Sequence, residues 1–119
     1  MMKKVISDAT PGRGIVQATV ADKFAGKVIV KGYVHASDAE PRYFMDGNLS
    51  NGAEFDVEAN KLYVVTILAT FAGANTVTVV CQVGTQTRTI VLAGDGVGPD
   101  GKPALDLEAA VFQIIAANQ

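Results

Sequence analysis

Residues 61–92 read KLYVVTILATFAGANTVTVVCQVGTQTRTIVL. Val, Ile, Thr, Tyr and Phe dominate this stretch, and their branched or aromatic side chains pack well on a pleated sheet. The AGAN sequence and Gly84 divide the stretch into strands at 61–71, 76–83 and 85–92. We therefore predict two consecutive β-hairpins and an all-β fold.

The first of these strands carries apolar side chains on both of its faces. This pattern is typical of a central strand that is covered on both sides, whereas a strand with one solvated face alternates apolar and polar residues. The two apolar sets are Leu62, Val64 and Leu68, and Tyr63, Val65, Ile67 and Phe71.

Two further strand patterns precede this stretch. Residues 14–20 alternate apolar and polar side chains, as a half-buried strand does, and residues 27–36 repeat the pattern. A short strand is expected at 53–57. The intervening segment 37–52 contains two glycines, a proline and several Asn and Asp residues, so it predicts a long loop of the kind that often carries contacts.

The C-terminal segment ALDLEAAVFQIIAANQ is compatible with two structures. A helix capped by Asp106 would place four apolar residues on one broad stripe, namely Leu107, Val111, Ile114 and Ile115. A strand would instead make 111–115 a buried apolar run. The length of the segment favours a short helix that docks on the sheet.

The domain organisation follows from size and polarity. A chain of 119 residues and 12.4 kDa buries enough surface for one hydrophobic core. Residues 1–13 are polar and include Pro11-Gly12, which indicates an N-terminal arm. We expect residues 14–119 to form a single antiparallel β-sandwich or barrel domain.

Composition excludes several functions and favours assembly. Charged residues make up 18% of the chain, below the roughly 25% of average soluble domains, so part of the surface should be apolar and in contact with other proteins. A net charge of −2 argues against nucleic-acid binding. There is no apolar run long enough to span a membrane. Val5-Ile6 is followed at once by Ser7-Asp8, so we expect no signal peptide and a cytoplasmic location at synthesis.

No residue pattern supports catalysis, a metal or a cofactor. Residues 96–101 fit G-x-G-x-x-G, but Pro103 stands where a phosphate loop needs Ser or Thr, and 99–102 predict an ordinary turn. Cys81 and His35 are the only residues of their types, and the predictions for them are a buried strand thiol and a strand-end side chain. The scattered carboxylates are expected to be solvated. We expect a protein that is not an enzyme and holds no cofactor.

In size and composition the chain resembles the small decoration or cement proteins that bind phage capsid shells and often form trimers. The resemblance implies a non-enzymatic structural subunit of the virion that contacts itself, as a homo-oligomer such as a trimer, and contacts other structural proteins such as a capsid shell. It also implies that the arm at 1–13 follows a neighbouring subunit and that the loop at 37–52 meets the shell. The candidate partner contacts in these two segments are Lys3, Lys4, Arg13, Tyr43 and Phe44.

The alternative is a module that binds carbohydrate or another small ligand through Tyr33, Tyr43 and Phe44. It requires aromatic and carboxylate side chains to converge in one shallow groove. For the structural subunit, replacing Phe44 or deleting residues 1–13 is expected to weaken assembly and leave the fold intact.

Overall fold

The structure, a computed structural model, describes residues 2–21, 27–38, 42–46, 49–102 and 104–117. These residues form nine β-strands and no helix, so no helix among them is long and apolar enough to cross a membrane. The all-β prediction is confirmed. The strands are β1 (Met2–Ala9), β2 (Gly12–Val20), β3 (Lys27–Ala36), β4 (Arg42–Asp46), β5 (Leu49–Val57), β6 (Leu62–Ala72), β7 (Asn75–Val83), β8 (Gln86–Gly94) and β9 (Asp106–Ala116).

The strands form two sheets that pack face to face. The five-stranded sheet has the order β1-β9-β6-β3-β4, and the four-stranded sheet has the order β5-β2-β7-β8. Of the described strand pairs, β1 and β9 run parallel and the others run antiparallel. The result is a β-sandwich in which the first and last strands are neighbours.

The core lies between the two sheets. In β6 and β7 the odd-numbered side chains are buried and point inward, as the two-residue period of a strand requires. Phe71 and Phe112 are the largest fully buried side chains, and no charged side chain is buried in the described part of the chain. Burial of apolar surface, at about 25 cal/mol per Å², therefore stabilises the sandwich.

The strands predicted within 61–92 are confirmed, but only one of the two predicted hairpins forms. β7 and β8 pair as an antiparallel hairpin across Gly84. β6 and β7 lie in different sheets, and the turn at Gly73 carries the chain from one sheet to the other. Local sequence predicts the turn, whereas the choice between pairing and crossing depends on which other strands compete for each edge.

The C-terminal helix prediction is wrong. Residues 106–116 form β9, which lies between β1 and β6 and pairs with both. Its side chains alternate, so that Phe112 and Ile114 are fully buried while Ile115 is exposed. Two neighbouring strands and a two-residue burial pattern thus outweigh the helix propensity of Ala, Leu and Glu.

The N-terminal arm prediction is also wrong. Residues 2–9 form β1, which pairs with β9 and places Ile6 and Ala9 in the core. A bulge at Asp8, whose φ is 58°, interrupts the pairing just before Ala9. Lys3 and Ser7, two of the polar residues that indicated an arm, lie on the exposed side of this edge strand.

The loop predicted at 37–52 is largely strand. Residues 42–46 form β4 at the edge of the five-stranded sheet, and 49–52 extend the short predicted strand into β5. Residues 39–41 and 47–48 lie outside the described part of the chain. Much of the predicted loop is thus occupied by β4 and the start of β5, and each of these strands lies at the edge of a sheet.

The cysteine prediction is confirmed, and it has a measurable consequence. Cys81 is fully buried in β7, and burial raises the pKa of its thiol to about 12. Because the thiolate is the reactive form, we expect no reaction of the folded protein with a chromogenic disulfide reagent at mildly alkaline pH. The same reagent should react promptly after unfolding in guanidinium chloride. A folded protein that reacts as fast as the unfolded one would contradict this burial.

Candidate interface on the outer face of the five-stranded sheet

The apolar residues of β6 that point away from the core lie on the outer face of the five-stranded sheet. The odd-numbered residues of this strand face the four-stranded sheet, so Leu62, Val64 and Leu68 must face outward. All three are half-buried by their neighbours within the sheet. The sequence predicted cover on both sides of this strand, and the described structure supplies cover on one side.

The neighbouring strand β9 continues the same apolar surface. Its register places Ala109 beside Leu68 and Ile115 beside Leu62. Ile115 is 44% exposed and Leu107 is 62% exposed. These residues were not predicted as contacts, although the apolar run at 111–115 and the two-sided pattern of β6 carried the signal.

The flanking strands β1 and β3 add Val5, Ile29 and Tyr33 to this surface. Val5 is 47% exposed beside Gln113, and Ile29 is 40% exposed beside Thr70. We call the outward surface of these four strands the apolar face. Its residues are Lys3, Val5 and Ser7 of β1; Leu107, Ala109, Val111, Gln113 and Ile115 of β9; Leu62, Val64, Thr66, Leu68 and Thr70 of β6; and Ile29, Lys31, Tyr33 and His35 of β3.

The charges of the apolar face lie on its flanks. The two central strands, β6 and β9, contribute only aliphatic, Thr and Gln side chains. The exposed Lys3 and Lys31 lie on β1 and β3, and His35 on β3 donates from Nδ1 to the Ala36 carbonyl oxygen at 3.0 Å. An uncharged centre with polar and charged margins is the arrangement found in protein interfaces.

The outer face of the four-stranded sheet is different in character. It carries an ion pair between Arg13 and Glu54 at 2.8 Å, and both side chains are more than half exposed. Ile15, Val80 and Val91 are its large apolar residues. The other outward residues of this sheet with described side chains are Arg13, Gln17, Thr19, Glu54, Asp56, Thr76, Thr78, Gln82, Thr87, Thr89 and Ala93. The two outer faces of the sandwich thus differ, and the polar one is typical of a surface in water.

The candidate contacts predicted from the sequence do not form one cluster. Lys3 lies at the margin of the apolar face, and Lys4 alternates to the other side of β1. Arg13 lies on the outer face of the opposite sheet. Tyr43 and Phe44 are in β4, whose side chains lie outside the described part of the structure. Their contacts, and the aromatic groove of the alternative function, stay predictions.

A cleft of about 620 Å³ opens at one end of the sandwich, near the start of β7 and of β9. Asp95, Asp106 and Glu108 line the cleft, and Asp106 Oδ2 accepts a hydrogen bond from the Asp95 backbone nitrogen at 3.3 Å. Asp95 Oδ1 accepts one from the Val97 nitrogen at 3.1 Å. The Asn75 side-chain nitrogen is buried there without a hydrogen-bond partner. Within the described ranges no three His, Cys, Asp or Glu residues could hold a metal ion. Through their hydrogen bonds to Asp95 N and Val97 N, Asp106 and Asp95 hold the loop after β8 in place.

The Gly-rich loop between β8 and β9 forms the turn predicted at 99–102. The Gly101 nitrogen donates to the Gly98 carbonyl oxygen at 2.9 Å, and the Gly98 nitrogen donates to the Lys102 carbonyl oxygen at 2.8 Å. Asp100 Oδ1 accepts from the Lys102 nitrogen at 3.0 Å. With Gly101 at φ 77°, this pattern matches a three-residue hairpin loop that ends in a left-handed residue. The carboxylate of Asp100 therefore has a structural partner.

Comparisons of the chain with known protein families, with curated proteins and with solved structures find no match.

Proposed function

We propose that this chain is a non-enzymatic structural subunit that works through protein–protein contacts. The apolar face supports this proposal. Contiguous exposed apolar surface of this kind marks sites of association in soluble proteins. The arrangement of an uncharged centre between basic flanks adds to the argument, since charged residues are depleted at the centres of interfaces.

The local roles of several polar side chains support the same proposal. Asp95, Asp100 and Asp106 accept hydrogen bonds from backbone nitrogens of the loop after β8. Cys81 is buried in the core, where burial disfavours the reactive thiolate. These groups act on the fold of the chain itself, whereas no described element packs over the apolar face.

The virion enters the proposal through the resemblance in size and composition to capsid decoration and cement proteins. Such a subunit would present the apolar face to other copies or to a shell, and the polar outer face of the four-stranded sheet to water. The proposed role is thus structural: the sandwich presents the apolar face, and contact with protein surfaces is its activity.

The first test is the mass of the purified protein in solution. Light scattering during size-exclusion chromatography, across a wide range of concentrations, should report a stable oligomer. The physical reason is that burying the apolar face removes aliphatic surface from water at about 25 cal/mol per Å². A monomer at every concentration, together with saturable binding on a glycan array, would contradict the proposal and favour the carbohydrate-binding alternative.

A further inference from the structure

We propose that the apolar face binds the apolar face of a second copy of this chain, so that two sandwiches pack face to face about a two-fold axis. The inference builds on the proposed function, because it names the partner of the same surface. The two five-stranded sheets would then be the inner layers of a four-layer assembly.

The apolar residues on both faces of β6 support this pairing. A strand with apolar residues on both faces is typical of a sheet that is covered on both sides. The four-stranded sheet covers the face with Tyr63 and Ile67, which are buried. Leu62, Val64 and Leu68 remain on the other face with no described element packed over them. A second sheet laid on this face would complete the burial that the pattern predicts.

The area of the apolar face also supports contact with a second copy. β6 and β9 are each 11 residues long, or about 36 Å at roughly 3.3 Å per residue. The flanking strands are shorter, with 8 residues in β1 and 10 in β3, so at about 4.8 Å between strands the four strands cover a projected area of about 630 Å². A stable protein interface buries about 600 to 1,000 Å² on each partner. The apolar face therefore has the size that one stable contact requires.

The distribution of charge on the apolar face also permits contact between two copies. Because β6 and β9 carry no charged residue on the apolar face, two copies can bring their centres together without opposing like charges. Lys3 and Lys31 lie on the flanking strands and are exposed, so their ammonium groups can remain in water while their aliphatic stems pack. An uncharged surface is complementary to itself, and a two-fold contact uses the same patch on both subunits.

The test compares charge substitutions on the two outer faces of the sandwich. Val64→Glu and Thr66→Glu place a carboxylate on the central strand β6, in the two rows where the paired residues of β3 and β9 are not lysines, and a face-to-face pair would remove that carboxylate from water. We expect each to raise the dimer dissociation constant by more than about 100-fold. Val91→Glu is the matched control, since Val91 is 52% exposed on the outer face of the four-stranded sheet. The control should associate like the parent, and thermal unfolding of all three variants should remain cooperative.

A cross-linking experiment tests the geometry without adding charge. Thr66→Cys places a thiol at the centre of the apolar face, and Thr78→Cys places one on the outer face of the other sheet. Thr66 and Thr78 are both half-buried. Sheets that pack face to face lie about 10 Å apart, so a short bis-maleimide can bridge two copies of Thr66→Cys but not of Thr78→Cys. Buried Cys81 does not compete for the reagent.

The outcomes separate the inference from the proposed function. A parent dimer, monomeric glutamate variants at positions 64 and 66, and cross-linking confined to Thr66→Cys would support both. A parent oligomer that tolerates both glutamates, or whose mass corresponds to three chains, would overturn the face-to-face pair and leave the structural role intact. A parent that is monomeric at every concentration would overturn the face-to-face pair, and together with saturable binding on a glycan array it would overturn the proposed function as well.

Discussion

Removal of residues 1–9 is expected to leave a chain that does not fold cooperatively. β1 pairs with β9 along its length and supplies Ile6 and Ala9 to the core. Its loss would expose the edge of β9 and open the core beside it, and small domains are stable by only about 5 to 15 kcal/mol. Circular dichroism and thermal unfolding should show no cooperative transition. This differs from the expectation for an arm, whose deletion would leave the fold intact.

Single substitutions in β1 test which of its side chains pack in the core. Ile6→Ala removes a fully buried side chain and should lower the free energy of unfolding by about 2 to 5 kcal/mol. Val5→Ala changes the adjacent, outward residue and should alter it by no more than about 0.5 kcal/mol in the monomer. Chemical denaturation measures both. Equal effects at the two positions would show that β1 is not packed as described.

Gly96→Ala is expected to be the most damaging of the small substitutions in the loop after β8. Gly96 has φ 64° and lies so close to the backbone of Gly73 that a Cβ at this position would overlap it. The left-handed backbone costs about 1 to 2 kcal/mol for a residue with a Cβ. Overpacking adds about 1 to 3 kcal/mol, because neither backbone can move aside as a side chain could. Urea denaturation should therefore show a loss of about 2 to 5 kcal/mol in the free energy of unfolding.

Gly101→Ala is the matched control for this prediction. Gly101 also has a positive φ, 77°, but a Cβ there would meet nothing within 4 Å. Only the backbone cost of about 1 to 2 kcal/mol should remain. If the two alanine variants were equally stable, the close approach of Gly96 to the turn between β6 and β7 would not exist in solution.

Several strands could be predicted from the sequence with little error. The segment 27–36 places Val28, Val30 and Val34 on one face, and it coincides with β3. The pattern is informative because side chains of one strand alternate between core and solvent, whatever the neighbouring strands are. The turn at 99–102 could be predicted for a similar reason, since the backbone preferences of Pro and Gly act locally.

The errors share one physical cause, which is dependence on distant partners. The residues of β9 have mixed propensity, and their strand structure is stabilised by β1 and β6, which lie far away in the sequence. β1 looks polar because its inward residues are few, and its pairing with β9 cannot be read from local composition. The hairpin predicted between β6 and β7 does not form for the same reason. β6 pairs with β9 and β3 in one sheet, and β7 pairs with β2 and β8 in the other.

The candidate interface was only partly predictable. Low charge and the two apolar faces of β6 indicated that some surface would need a cover, but the residues chosen from the sequence lay in supposed loops. The residues of the apolar face come from four strands spread between positions 3 and 115 of the chain. Their assembly into one surface depends on strand order and register.

By itself, the sequence determined that this chain is all-β and where most of its strands and turns lie. These properties depend on side-chain shape and on turn chemistry within a few residues. Only the tertiary structure decided which strands pair, that both termini join one sheet, and that the outward residues of β1, β9, β6 and β3 form a single apolar face. The reason is that the segments that pair with a strand's edges and cover its faces are distant in the sequence. Pairing and burial therefore depend on how the whole chain folds.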